Sequence, residues 1–113
     1  MNVLTAKYDF SEDSLKVTLG GEIDHHSARA AREEIDAKIS ALKPKAVLLD
    51  LKSVGFMDSS GLGLIMGRFA LVKQYGGTLA VLDPSPAVVK IMALAGMERM
   101  VPILRSNTKT KEA

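Results

Sequence analysis

The chain has 113 residues, 47% apolar and 25% charged, with 9 glycines and 4 prolines, which is the balance of one ordinary globular domain rather than a disordered or collagen-like chain. It has no cysteine, which excludes disulfides, thiolate nucleophiles and cysteine-based zinc or iron–sulfur sites together. Fifteen Lys+Arg against thirteen Asp+Glu leave a net charge of +2, and aromatic residues make up 4%, so the chain lacks the basic excess and the stacking residues of a nucleic-acid binder.

The chain starts with two expected strands, Val3 to Tyr8 and Leu15 to Leu19, in which Leu15, Val17 and Leu19 alternate with Lys16 and Thr18. Glu12-Asp13-Ser14 suits the hairpin turn between them. Gly20-Gly21 breaks the pattern, and Asp24 then caps a helix running to about Leu42, with Ala28, Ala31, Ile35, Ile39 and Leu42 on one stripe, until Pro44 stops it. Val47 to Leu51 is a short apolar run of the kind covered on both faces of a sheet. From Ser59 or Ser60 to Tyr75, the spacing of Leu62, Ile65, Met66, Phe69 and Val72 predicts a helix buried on one side and ended by Gly76-Gly77. Leu64, Arg68, Leu71 and Tyr75 form a second stripe on that helix, which fits burial or a partner equally. Thr78 to Leu82 is a further buried strand. Pro84 and Pro86 open a helix carrying Val88, Ile91, Met92 and Ala95, and Arg99 to Leu104 is a last strand that Pro102 confines to an edge. Strands alternating with helices after an opening hairpin predict an α/β fold with a mixed sheet, in a single domain over residues 1–113 with a polar tail from 105.

No stretch reaches the ~18 uncharged apolar residues that span a bilayer, because the richest region, Gly61 to Gly67, lies between Asp58 and Arg68. The opening MNVLTAKYDFSED has no basic segment followed by an apolar one, so no secretory signal is read there and the cytoplasm is the expected location.

The segment most informative about chemistry is Phe56-Met57-Asp58-Ser59-Ser60-Gly61-Leu62-Gly63. It leaves a buried strand and opens a helix, where unpaired N–H groups and the positive end of the helix dipole collect. Asp-Ser-Ser before a helix is also what capping alone selects, and one hydroxyl can cap while its neighbour stays exposed. Gly61 and Gly63 each cost about 1 kcal/mol relative to alanine in a helix, which suggests that bare backbone is in use. The segment lacks the Gly-x-x-x-x-Gly-Lys-Ser/Thr spacing of a phosphate-cradling loop and the Gly-x-Ser-x-Gly of a hydrolase, so no catalytic residue is assigned. Gly21-Glu22-Ile23-Asp24-His25-His26-Ser27 is a second strand-to-helix junction. Its adjacent histidines point about 100° apart on a helix and do not chelate one ion, so neither a metal nor a cofactor is expected.

Taken together in this order, Gly21 to Ala28, Phe56 to Gly63 and Ile65-Met66-Gly67-Arg68 closely resemble the bacterial anti-sigma factor antagonists, small proteins made of a single STAS domain. The double-histidine motif is most similar to the sporulation type, the anti-sigma F factor antagonists, and the similarity extends from about residue 2 to 104. Ser27 stands where members often have threonine, and Ile23 where leucine is common. The resemblance implies a mixed sheet with helices packed mainly on one side, and a mechanism called partner switching. In it the unphosphorylated antagonist, a monomer when free, binds an anti-sigma factor that is also a serine kinase, so that the sigma factor is released. Phosphorylation ends that binding and a PP2C-type phosphatase restores it. By resemblance Ser59 is the phosphoacceptor, and the partner-binding residues are Asp24, Asp58, Ser60, Gly61, Leu62, Gly63 and Arg68, with Ser60 as the capping hydroxyl. Two alternatives stand beside this reading: a general-stress antagonist with the same chemistry and another partner, and a STAS module sensing a nucleotide or small anion at the same loop, since a helix N-terminus suits anions.

Overall fold

The computed structural model describes residues 4–106, so the expected strand start at Val3 and the tail from 107 to 113 lie outside the described residues. Strands β1 (Leu4–Ser11) and β2 (Ser14–Ile23) form an antiparallel hairpin in which Ser11 pairs with Ser14. The two residues between them, Glu12 and Asp13, have φ of 53° and 65°, as a tight turn that matches strand twist requires. Helix α1 (His25–Leu42), strand β3 (Ala46–Met57), helix α2 (Ser59–Lys73), strand β4 (Thr78–Leu82), helix α3 (Pro86–Leu94) and strand β5 (Ile103–Leu104) follow. The sheet order is β1-β2-β3-β4-β5, and every pair after the first is parallel.

The alternation read in the sequence is the core. Leu15, Val17, Leu19, Val47, Leu49 and Leu51 are fully buried in the two central strands, and Ile35, Ile39, Ile65 and Val72 meet them from α1 and α2. At about 25 cal/mol per Å² of apolar area removed from water, these side chains supply the main force holding the helices on the sheet.

Beyond shifts of two or three residues at the ends of β1 and α2, three elements differ from the sequence expectation. Strand β2 runs on through Gly20 and Gly21, because Gly21 takes a φ of 106° and stays in the ladder opposite Leu4 and Val54. Strand β3 continues to Met57, with register shifts against β2 that return Val54 and Met57 to the core across the polar Lys52-Ser53 and Gly55. The expected strand Arg99 to Leu104 is reduced to Ile103–Leu104 and preceded by a 3-10 turn, Met97–Arg99, since Gly96 at φ 70° ends α3 and Pro102 has no N–H to donate.

The long β3 is what positions the site. Ile23 at the end of β2 pairs with Met57 at the end of β3, and the Asp58 N–H donates to the Ile23 carbonyl at 3.1 Å. Two parallel strands therefore end level with each other, and α1 and α2 start side by side at the same edge of the sheet.

Gly61, in the first turn of α2, is buried against this junction. A Cβ there would overlap the Met57 Cγ and Sδ atoms and reach the Ile23 Cγ2 at 3.4 Å. Its bare Cα is thus required by internal packing, which corrects the sequence reading that Gly61 exposes backbone for use. Gly61→Ala is expected to destabilise the protein by about 1–3 kcal/mol through overpacking. A urea-unfolding midpoint checks this, and Met57→Ala in the same chain should recover much of the loss.

Candidate functional site

Asp58 precedes α2 in extended backbone conformation, and its carboxylate accepts the Ser60 N–H at 2.8 Å. The helix cap is therefore the aspartate, not the Ser60 hydroxyl expected from the resemblance: a carboxylate placed two residues earlier reaches an orphan N–H donor of the first turn and suits the positive helix end. Ser59, the first residue of α2, is exposed, and its Oγ makes no hydrogen bond among the described residues. It is a hydroxyl that the fold leaves unused. Gly63, one turn on, is also exposed, with open space where a Cβ would stand, while Leu62 is half-buried against the core.

Asp24 does for α1 what Asp58 does for α2. Its carboxylate accepts from His26 N–H at 3.0 Å and Ser27 N–H at 2.9 Å, and the Ser27 hydroxyl oxygen accepts the Asp24 N–H at 3.0 Å, completing a capping box. Ser27 also donates to the Glu22 carbonyl at 3.0 Å, tying the helix start to the end of β2. Both aspartates, Ser59, Ser60, Gly61 and Gly63 thus belong to one end of the molecule, the paired starts of α1 and α2, with His25 and His26 exposed in the first turn of α1.

Of the two readings of the second stripe, Arg68 takes burial in the free chain. It is not on the exposed face of α2: its side chain is only 6% exposed, and its Nε lies 2.8 Å from Asp36 Oδ1 of α1. The pair is an ionic contact without hydrogen-bond alignment, which leaves Arg68 Nε, Arg68 Nη1 and Asp36 Oδ1 without a hydrogen-bond partner among the described residues. Burial holds the guanidinium below its usual basicity, opposed by Asp36 and reinforced by Arg32. The second stripe on α2 is accordingly its seam with α1. Leu64 is buried there, and Tyr75 donates to the Pro44 carbonyl at 2.8 Å. A helix can bury two faces when a second helix lies beside it, and the 3.6-residue spacing alone does not say which neighbour covers which stripe.

A family model described as the STAS domain matches residues 5–111. The anti-sigma F factor antagonist of Paenibacillus polymyxa is 42% identical over 89 residues, covering 79% of this chain and 76% of that one. The chain belongs to the STAS-domain family of anti-sigma factor antagonists. The solved anti-sigma factor antagonist SpoIIAA in its unphosphorylated form is 25% identical to this STAS protein and superposes with a TM-score of 0.80 over 93% of this chain and 90% of that one. SpoIIAA of Bacillus in its phosphorylated form, 24% identical, gives 0.73 over 93% and 94%. The STAS fold is therefore the mixed five-stranded sheet described above. Among its described residues no helix is long and apolar enough to cross a membrane.

Proposed function

We propose that this STAS protein is a non-enzymatic, phosphorylation-switched binding module of the cytoplasm, a monomer when free, that antagonises an anti-sigma factor with serine kinase activity. Its unphosphorylated form binds the kinase through the paired starts of α1 and α2, so that the sigma factor is released. Phosphate on Ser59 ends the binding, and a PP2C-type phosphatase removes it. The observation that carries this reading is the Ser59 hydroxyl itself: exposed, unbonded and at a helix start whose capping is already done by Asp58.

The electrostatics support a switch that leaves the fold intact. A phosphate at the first position of α2 adds about −1.5 to −2 charges at the positive helix end, which tolerates it locally. The same charge stands beside Asp58 and in the middle of the surface offered to the partner, where desolvating it is costly. Asp24 and Asp58 form the acidic rim of that surface, Gly63 lets the partner approach the α2 backbone, and Leu62 backs the turn.

Incubation with an anti-sigma factor kinase and Mg-ATP, followed by mass spectrometric mapping, tests the reading. One phosphate is expected, at Ser59. A phosphate mapping elsewhere, or none, sinks it.

Gly63 supplies a separate check. In the free protein Gly63→Ala fills open space and improves helix propensity, so stability should rise by about 0.5–1 kcal/mol. Kinase binding should weaken in the same variant. A gain in stability with unchanged binding would place the contact away from this turn.

A further inference from the structure

Beside the Ser59 turn, a cleft of about 630 Å³ runs between the first turns of α1 and α2, lined by His25, His26, Ala28, Arg29, Arg32, Ser60 and Leu64. On α1, His25, Ala28, Arg29 and Arg32 follow the i, i+3, i+4, i+7 spacing that places them on one helix face, and Ser60 and Leu64, one turn apart on α2, form the opposite wall. Every ionisable residue lining the cleft is basic.

Of the nearby acids, Glu33 stands four residues after Arg29 but makes no ion pair with it, and the others are occupied. Asp36, one turn beyond Arg32, is taken by the buried Arg68, and Glu34 accepts the Tyr8 hydroxyl at 2.8 Å. Asp24 and Asp58 accept the backbone N–H groups at the two helix starts. Among the described residues, neither Arg29 nor Arg32 has a carboxylate within ion-pair distance. Two guanidinium groups, each built to grip a carboxylate with paired N–H donors, thus face one cleft with no ion-paired carboxylate among the described residues. The cleft is continuous with the proposed partner-binding surface through Ser60.

We infer that this cleft is the receptor for an acidic segment of the protein partner, gripped by Arg29 and Arg32 over an apolar floor of Ala28 and Leu64. The partner's identity rests on the proposed function; the chemistry of the cleft does not. The partner surface is then two-signed: cations opposite Asp24 and Asp58, and carboxylates opposite the arginines. Such an arrangement fixes the docking register, because a rotated complex would set like charges together. Phosphate on Ser59 falls between the two regions.

The cleft is tested without the kinase by titrating the isotope-labelled protein with hexaglutamate and following backbone amide shifts. Shifts are expected over residues 25–32 and 60–64, suppressed by salt and lost in the Arg29→Gln, Arg32→Gln double variant. Both positions are exposed, so the double variant should fold normally. If hexaglutamate shifts nothing there, or shifts both proteins equally, the inference fails. Parallel titrations with inorganic phosphate and with ATP separate the alternative: saturation by either at lower concentration than the peptide would make the cleft a small-anion site and overturn an acidic-segment receptor.

A second arm uses the kinase on which Ser59 is tested. The double variant should bind it about tenfold more weakly, with a shallower salt dependence. Wild-type protein that binds no such kinase would defeat the proposed function alone, whereas equal binding by wild type and double variant would defeat the cleft alone.

Discussion

Ser59→Asp is expected to bind the anti-sigma factor kinase at least about 100-fold more weakly than wild type, while Ser59→Ala keeps wild-type affinity and cannot be switched off by ATP. Moving a complex from almost fully bound to almost fully free takes about 5.5 kcal/mol of differential affinity. A carboxylate carries roughly half the charge of a phosphate and has no third oxygen, so it should reproduce part of that range rather than all of it. Thermal stability should hardly change in either variant, because Ser59 is exposed and its hydroxyl holds nothing among the described residues. The experiment is a pair of titrations, each variant against the kinase with and without Mg-ATP. Equal affinities for the two variants would remove Ser59 from the switch. A large loss of stability in Ser59→Asp would show instead that the charge acts by melting the start of α2.

The clearest parts of the fold in the sequence were those where one period dominates. Leu15, Val17 and Leu19 alternate without interruption, and Ala31, Ile35 and Ile39 keep strict helical spacing, so β2 and α1 were both legible. The second half of β3 was not, because Lys52, Ser53, Gly55 and Phe56 are exposed and only the register shifts carry Val54 and Met57 back inside. A signal was present in the three-residue spacing of Leu51, Val54 and Met57, which suits neither a plain strand nor a long helix. The site was legible through its caps. An aspartate before each of two helices, both following strands, marks two helix starts, although only the pairing of Ile23 with Met57 puts them side by side.

Sequence spacing shows that a position faces something, and not what it faces. Gly61 and Gly63 both looked like exposed backbone, yet Gly61 packs on Met57 and only Gly63 is open. Arg68 sat on a stripe that fitted burial or a partner equally, and Asp36 on another helix draws it into the α1–α2 seam. The cleft is not legible in the sequence, where Arg29 and Arg32 merely fall outside the apolar stripe of α1. Their opposite wall, Ser60 and Leu64, lies some thirty residues away in the chain and is brought in only by the parallel crossover.

That seam carries the largest expected effect on stability. Asp36→Ala leaves the Arg68 guanidinium buried without its carboxylate and beside Arg32, which already disfavours its charge. Breaking a buried ion pair from one side costs about 3–5 kcal/mol. The Asp36 side chain is 37% exposed, so water partly screens the pair and a loss of about 2–3 kcal/mol is expected here. Arg68→Met with Asp36→Leu removes both charges and fills the seam with apolar volume, and it should return most of the stability, since no uncompensated charge is left behind. Chemical denaturation of the two variants and the wild type gives the comparison, and a loss below about 0.5 kcal/mol in Asp36→Ala would show that the pair contributes little. The double variant also decides what Arg68 does. Both helix starts are held to the sheet by the Asp58 N–H to Ile23 and the Ser27 hydroxyl to Glu22, independently of the seam. Kinase binding should therefore survive wherever stability does. A double variant that folds as well as wild type but no longer binds would mean that Arg68 leaves the seam to meet the partner, and that the ion pair with Asp36 belongs only to the free state.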